Sequence, residues 1–514
     1  MPDNDPRAEN SGGVLRALAE NKAAQKTLAV LADNKVVILF AGMALAAFHI
    51  SGMSTIMFFN ELFVRFGRNT FMVLSLLIPV MAGLGLNFGI VIGAMAAQVA
   101  MFLVLLWGGQ GLGGVGFVFV VATPIAILFG FLIGKIFNKM KGSEMIGGMV
   151  LALFAEGFYQ FFFLYAMGGI VPIRVERLVT PTGVGVVNAI DLDRYNNMRN
   201  ALDNVSLYNL LTVAVWAALA LVVALVIFNL AKKRPLRLRG QGGLLKPLAA
   251  LALLWLAYGL SFVVEPFLSF LYYDRVVGLI GVRLAALFTA LYAAYGIVRA
   301  KIVDKASGIG ALSKPLAHLA VAAVIFLATL VPDISTGLSR VRIPIFTYMI
   351  IAGLCFFINW FMKTRLGQNM RTAGHDRAVA TTAGINVDRT RVIAMIISTV
   401  LAAFAQIIMM QNFGVMQTYG AHSQVGVYAI AALLVGGATV SRASVKHAIM
   451  GVILFHSLFI LAPIAGGQLM GSALIGEYFR VFVANAVITV ALIMHAWKYV
   501  KGRKKKGKEA KAAA

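Results

Sequence analysis

The sequence predicts an all-α polytopic membrane protein with about fourteen transmembrane helices, taking about 20 apolar residues as one crossing. Three observations predict it. Of the 514 residues, 60% are hydrophobic and only 13% are charged, with a mean hydropathy of +0.86. A soluble domain averages roughly 45–50% apolar and about 25% charged. Runs long enough to cross a bilayer recur along the whole chain, and the 45 Lys and Arg residues collect between those runs rather than within them.

In chain order the runs fall near 36–58, 71–86, 88–107, 114–135, 144–169, 206–231, 246–270, 278–298, 316–331, 344–362, 391–412, 425–440, 447–464 and 479–498. Residues 1–35 are polar and charged with no apolar core, so they read as a cytoplasmic tail rather than a cleavable signal peptide. The runs at 71–86 and 425–440 are short and interrupted by glycine, which fits a broken or re-entrant helix held inside protein. The longest external connection, 169–205, carries Pro172, Arg174, Glu176, Pro181, Asp191 and Asp193; its size and polarity suit a docking or lid element. Four runs fill 206–340, where the one mid-span acid is Glu265, followed by Pro266. Residues 499–514 form a basic tail.

Charge fixes the orientation. With the N-terminus inside, the inside segments are 1–35, 135–143, 232–246, 299–315, 363–391, 441–446 and the tail from Lys498. They hold about 34 of the 45 Lys and Arg, as basic residues prefer cytoplasmic loops. The reverse orientation puts Lys232 to Arg239 and Gly502 to Lys508 outside. A net charge of +25 also raises nucleic-acid binding, but basic residues clustered at span ends anchor to anionic headgroups and set topology instead. The single cysteine, Cys355, cannot form a disulfide within the chain.

Several chemistries are missing. There is no G-x-x-x-x-G-K-[ST], so the chain does not bind ATP in the P-loop manner. It also lacks H-E-x-x-H, C-x-x-C and G-x-S-x-G, and its histidines have no metal-ligand spacing. Polar groups within spans are costly and often functional. Asn87, with Phe88 and Gly89, sits at a glycine-flanked helix break, where free backbone N–H groups suit an anionic or hydroxyl-bearing ligand. Glu156 and Gln160 are four apart and share a helix face. Gln98, Gln406 and Gln411 are further candidates, with interhelical hydrogen bonding as their ordinary role. The aromatic run at Phe158, Tyr159 and Phe161 to Phe163 suits a stacking path or an interfacial belt. Mid-span His456 reads as a hydrogen-bonded structural histidine.

The stretch Thr364 to Val387, TRLGQNMRTAGHDRAVATTAGINV, is a polar, small-residue loop between two apolar runs. Its pattern R-T-A-G-x-D-x-A-x-A-x-x-A-G-I-N-V resembles the cytoplasmic coupling loop of ABC importer permeases of the ribose and branched-chain amino acid type. Three further blocks resemble that family in the same order. Gly83 to Met101 resembles a glycine-rich turn that opens a membrane helix, with Asn87 at the usual acidic position and Phe88 at the aliphatic one. Gly130 to Phe163 resembles a small-residue helix, a basic turn and the next span. Tyr428 to Pro463 resembles an Ala-Ile-Ala-Ala run, a Gly-Gly, a short turn and a glycine-containing helix.

The resemblance implies a ten-helix permease core, in 36–205 and 341–498, plus a four-helix insertion at 206–340 that is expected to be accessory. It implies a coupling loop at 363–391 holding a short helix bounded by Gly374 and Gly384. Ala378 and Ala380 would enter the groove of an ATP-binding cassette subunit. Arg371, His375 and Asp376, with Ile385 and Asn386 at the loop's end, would supply the remaining contacts. Asn87, Phe88, Gly89, Glu156 and Gln160 would line the substrate pathway. The implied mechanism is alternating access, with no cofactor on this chain and with ATP and Mg on the partner ATPase. The implied partners are a second permease copy or paralogue, a periplasmic or lipid-anchored solute-binding protein and the lipids of a prokaryotic inner membrane. The loop pattern lies nearest the simple-sugar and nucleoside branch. A secondary transporter driven by an ion gradient is the alternative; it calls for repeated halves and ionisable residues at broken helices.

Overall fold

The computed structural model describes residues 35–140, 142–231, 245–263, 275–298, 309–472 and 474–482, with 485, 486 and 489. The basic segment Lys232 to Arg239, Glu265, Pro266 and both terminal tails lie outside the described residues.

The chain is helical throughout, apart from short strands. It begins with α1 (Lys35–Ser51), α2 (Thr55–Ser75), α3 (Leu77–Met81), α4 (Ile90–Leu106), α5 (Gly111–Lys139) and α6 (Glu144–Phe161). Then come β1 (Ala189–Asp191), α7 (Leu207–Ala231), α8 (Leu245–Val263), β2 (Arg275–Val277), α9 (Gly278–Val298), α10 (Ile309–Ala328), α11 (Pro332–Arg340) and β3 (Arg342–Pro344). The C-terminal part holds α12 (Ile345–Phe361), α13 (Arg365–His375), α14 (Arg377–Thr382), α15 (Val387–Phe413), β4 (Val415–Gln417), α16 (Ala421–Val435) and α17 (Val445–Met470).

Among the described residues, six helices are long and apolar enough to cross a membrane, or eight if each of two bent pairs is one span. The chain is therefore a polytopic membrane protein. Some sequence runs are shorter as helices than as hydropathy peaks. The run at 425–440 becomes α16, whose 15 residues reach about 22 Å at 1.5 Å per residue, short of a hydrocarbon core of about 30 Å. The runs at 36–58 and 71–86 imply a connection over 59–70, and here the structure corrects the sequence reading. Thr55–Met81 is one 27-residue apolar segment, so Glu61, Arg65 and Arg68 lie within a span. Their charge lowers the local hydropathy, but they are carried on a continuous helix in which Glu61 and Arg65 pair at i,i+4, 2.7 Å apart.

α15 is the axis of the bundle. It packs against α2, α4 and α5, and 72% of its most apolar window is buried. Asn386 caps its start by accepting from Arg389 N at 2.9 Å, and Gly414 ends it in the left-handed region at φ 72°, where glycine carries no Cβ penalty. The contact with α5 is close because Gly130 and Gly134 face it. A Cβ on either would come within 2.7–2.8 Å of the Ile396 or Val392 Cα, the small-xxx-small spacing that lets membrane helices approach. α16 and α17 pack on each other, and α17 also packs on α1 and α2.

Peripheral helices show the opposite pattern. Only 17% of the apolar window of Glu144–Ile170 is buried, and 11% of that of α9. Leu153 and Phe154 are 70% and 71% exposed, a surface that is stable only against lipid. Within 206–340, α7 pairs with α8 and α9 with α10, and α11 joins them to α2. A β2–β3 ladder holds Arg275 opposite Pro344.

Loops sort to two ends. At one end, the 82–89 break, the turn before Glu144 and the α13–α14 segment come together. At the other end, β1 pairs antiparallel with β4, Ile190 opposite Met416, and Asn196 Nδ2 donates to Gly109 O at 2.7 Å.

Candidate functional site

The α13–α14 elbow is built by three caps. α13 turns 75° away from α12, and Thr364 Oγ1 accepts from Gly367 N at 3.3 Å to start it. Asp376 then breaks the helix with φ −150° and ψ 119°. Its Oδ1 accepts from Ala378 N at 2.8 Å and Val379 N at 3.1 Å, which starts α14. Gly384, at φ 76°, closes it. The expected single helix between Gly374 and Gly384 is thus two short helices, with Gly374 inside the last turn of α13.

The outward face of the elbow holds Arg371, His375, Ala378, Val379 and Thr382, all exposed, with Val379 at 56%. Asn386 is exposed and Ile385 half-buried. Ala380 is corrected by the structure: it is fully buried within the chain itself, because α14 turns that side toward α15. Val379 takes its place on the outward face; its apolar character beside two alanines was the available signal.

The inward face is anchored in two ways. Gly374 lies on the 81–83 turn, and a Cβ there would come 2.3 Å from Met81 O. Arg377 Nη2 donates to Glu144 Oε1 at 2.5 Å, and Arg391 donates to the same oxygen. Glu144 and Arg391 are both buried, so this cluster ties α14, α6 and the first turn of α15 together. Arg391 Nε and Nη1 have no hydrogen-bond partner among the described residues.

Asn87 lies, as expected, at a helix break, between Met81 and Ile90. It is 1% exposed and donates to Ser398 Oγ at 3.4 Å. Phe88 is half-buried and Gly89 buried. Glu156 and Gln160 share a face of α6, joined by a long 3.5 Å hydrogen bond. The structure does not bring these two together with Asn87. Gln98 donates to Gln417 O at 3.1 Å, and Gln411 Oε1 accepts from Leu202 N at 3.3 Å, so both serve the ordinary role of joining elements. The aromatic run splits: Phe158 and Phe161 face outward, while Tyr159 and Phe163 are buried.

A cavity of ≈ 360 Å³ opens at the end of the bundle opposite the elbow. Arg65 and Arg68 of α2, Phe413 of α15, Gln424 and Tyr428 of α16 and His456 of α17 line it. The sequence reading missed both arginines because it placed them in a connection. His456 is another correction: it faces this cavity, and its Nδ1 has no hydrogen-bond partner among the described residues. Arg68 lies 4.0 Å over the Phe413 ring, and its Nη1 donates to Asn412 Oδ1 at 3.3 Å. Asn412 in turn donates to Asp203 at 2.8 Å.

Among the described residues no group of three or more His, Cys, Asp or Glu has the geometry to hold a metal ion. Compared with known families, residues 204–493 match the model described as branched-chain amino acid transport system / permease component. That stretch, more than half of the chain, takes in α7 to α17. No curated protein and no solved structure matches the chain.

Proposed function

The chain belongs to the branched-chain amino acid transport system permease component family, and from that premise we propose that it carries a small polar solute inward by alternating access. As a permease component it is the transmembrane part of an ABC transporter and not a catalytic subunit. Such a component works in a complex with an ATPase and a solute-binding protein.

The α13–α14 elbow is the coupling element in this reading. The observation that carries it is the elbow's two-sided build. Its outward face is small-residue and exposed at Ala378, Val379 and Thr382, suited to a groove on the ATPase. Its inward face rests on the turn before Asn87 through Gly374, and on α6 and α15 through Glu144. Motion imposed from outside the chain therefore reaches three elements at once.

The elbow end is cytoplasmic in this reading, supported by the excess of basic residues in the segments assigned there. Both termini are then cytoplasmic in the inner membrane of a prokaryote. The core counts ten spans and 206–340 adds four that face lipid, consistent with their pairing mostly among themselves. A second copy or paralogue completes the pathway. A binding protein, periplasmic or lipid-anchored, delivers the solute to the end that holds β1, β4 and the cavity. A simple sugar or nucleoside is the solute that the loop pattern favours. The amides and aromatic rings of the cavity suit hydroxyls and a planar ring.

Co-purification tests the reading. The tagged full chain, expressed with its neighbouring genes, is expected to bring down an ATP-binding subunit whose hydrolysis rises when solute and binding protein are added. Recovery without any ATPase, together with uptake that follows an ion gradient, sinks it.

A further inference from the structure

Two guanidinium groups line the cavity at the end opposite the elbow, and no acidic side chain among the described residues lines it with them. Charges within a span are expensive and mark ligand paths. The two arginines differ. Arg65 is neutralised in part by Glu61, at 2.7 Å. Arg68 forms no ion pair among the described residues, and its Nε has no hydrogen-bond partner. The nearby Asp203 carboxylate is already taken by Thr347 and Asn412, so it reaches Arg68 only through the Asn412 amide. A third guanidinium, that of Arg480, stacks on the Phe459 ring of the wall at 4.1 Å and is paired with Glu477.

The cavity thus carries an uncompensated positive charge among apolar and aromatic walls, with Gln424 and Tyr428 opposite. Its ≈ 360 Å³ falls in the range of small-molecule sites, roughly 300–1,000 Å³. Guanidinium forks recognise planar oxyanions by paired, charge-assisted hydrogen bonds. An ammonium group entering beside Arg65 and Arg68 finds no carboxylate to receive it. We propose that the solute handled at this cavity bears an oxyanion, of the carboxylate kind, and no formal positive charge, with Arg68 as the group that receives it. This narrows the permease reading and rests on it for the word solute.

Calorimetric titration of the purified full chain in neutral detergent tests the assignment. The probes are two matched pairs, gluconate with glucose and 4-methyl-2-oxopentanoate with leucine, plus phosphatidylglycerol. In at least one pair the acid is expected to bind ten-fold or more tightly than its neutral or zwitterionic partner. Arg68→Gln is expected to lower that affinity ten-fold or more, with Arg68→Lys intermediate because it keeps the charge but loses the fork. Equal affinities within both pairs, no binding of either acid, or acid binding unchanged in a folded Arg68→Gln each overturn the proposal. Binding of phosphatidylglycerol alone makes the cavity a lipid-headgroup site and overturns it as well. If an ATPase co-purifies while the acids fail to bind, only the anion assignment falls. If the acids bind and no ATPase is recovered, the permease reading falls and the oxyanion site stands.

Discussion

Gly374 and Gly83 meet backbone to backbone. A Cβ built on Gly83 would lie 2.6 Å from the Gly374 Cα, and one built on Gly374 would lie 2.8 Å from Gly83 N. No side chain fits between the elbow and the turn that precedes Asn87, so displacement of one must displace the other.

Gly374→Ala is expected to force the two backbones apart. Overpacking of this kind costs typically about 1–3 kcal/mol. Thermal unfolding in detergent should show a lower Tm, and stimulated ATP hydrolysis in the reconstituted complex should fall several-fold. Gly157→Ala is the control, since a Cβ there meets nothing within 4 Å and alanine is the better helix former. Equal effects in the two variants would remove the close-contact argument.

Glu144→Gln leaves the buried Arg391 without its counter-charge. Breaking a buried pair by removing one partner costs about 3–5 kcal/mol. The single variant should lose most of its folded yield, whereas Glu144→Gln combined with Arg391→Met should recover part of it. Size-exclusion profiles of the two variants check this; a monodisperse single variant with wild-type Tm would show that the cluster contributes little.

Ala378→Trp and Ala380→Trp should separate docking from folding. Ala378 is exposed, so its variant is expected to insert and fold while coupled ATP hydrolysis collapses. Ala380 is buried in the chain, so its variant should fail to fold. Wild-type coupling in Ala378→Trp, with the ATPase still bound, moves the contact elsewhere, for instance to Ser441 to Lys446.

Topology is open to labelling. In a Cys355→Ser background, an impermeant thiol reagent added outside intact cells should modify Asn188→Cys and spare Gln368→Cys. Both positions are exposed, so accessibility does not confound the comparison. The reverse pattern inverts the orientation.

Composition and pattern by themselves determined the class of the molecule, the presence of many apolar helices and the position of the elbow. Those properties are local: a run of apolar residues prefers lipid wherever it packs, and Asp376 and Asn386 cap helices through amides two or three residues away. The broken helix at Asn87 was legible for the same reason, since glycine clusters mark breaks in any context. Tertiary structure alone decided which polar groups meet. Arg65 and Arg68 look like a hydrophilic connection along the chain, because hydropathy averages a window and discards the direction in which each side chain points. Only packing against α15, α16 and α17 turns that face into a cavity wall. The same holds for Glu144 with Arg391, 247 residues apart, and for Gly83 with Gly374. The burial of Ala380 beside the exposed Ala378 likewise depends on which side of α14 meets α15. Long-range contacts leave no periodic trace in a single sequence, so the fold class was written in the chain, whereas the latch and the cavity existed only once it had packed.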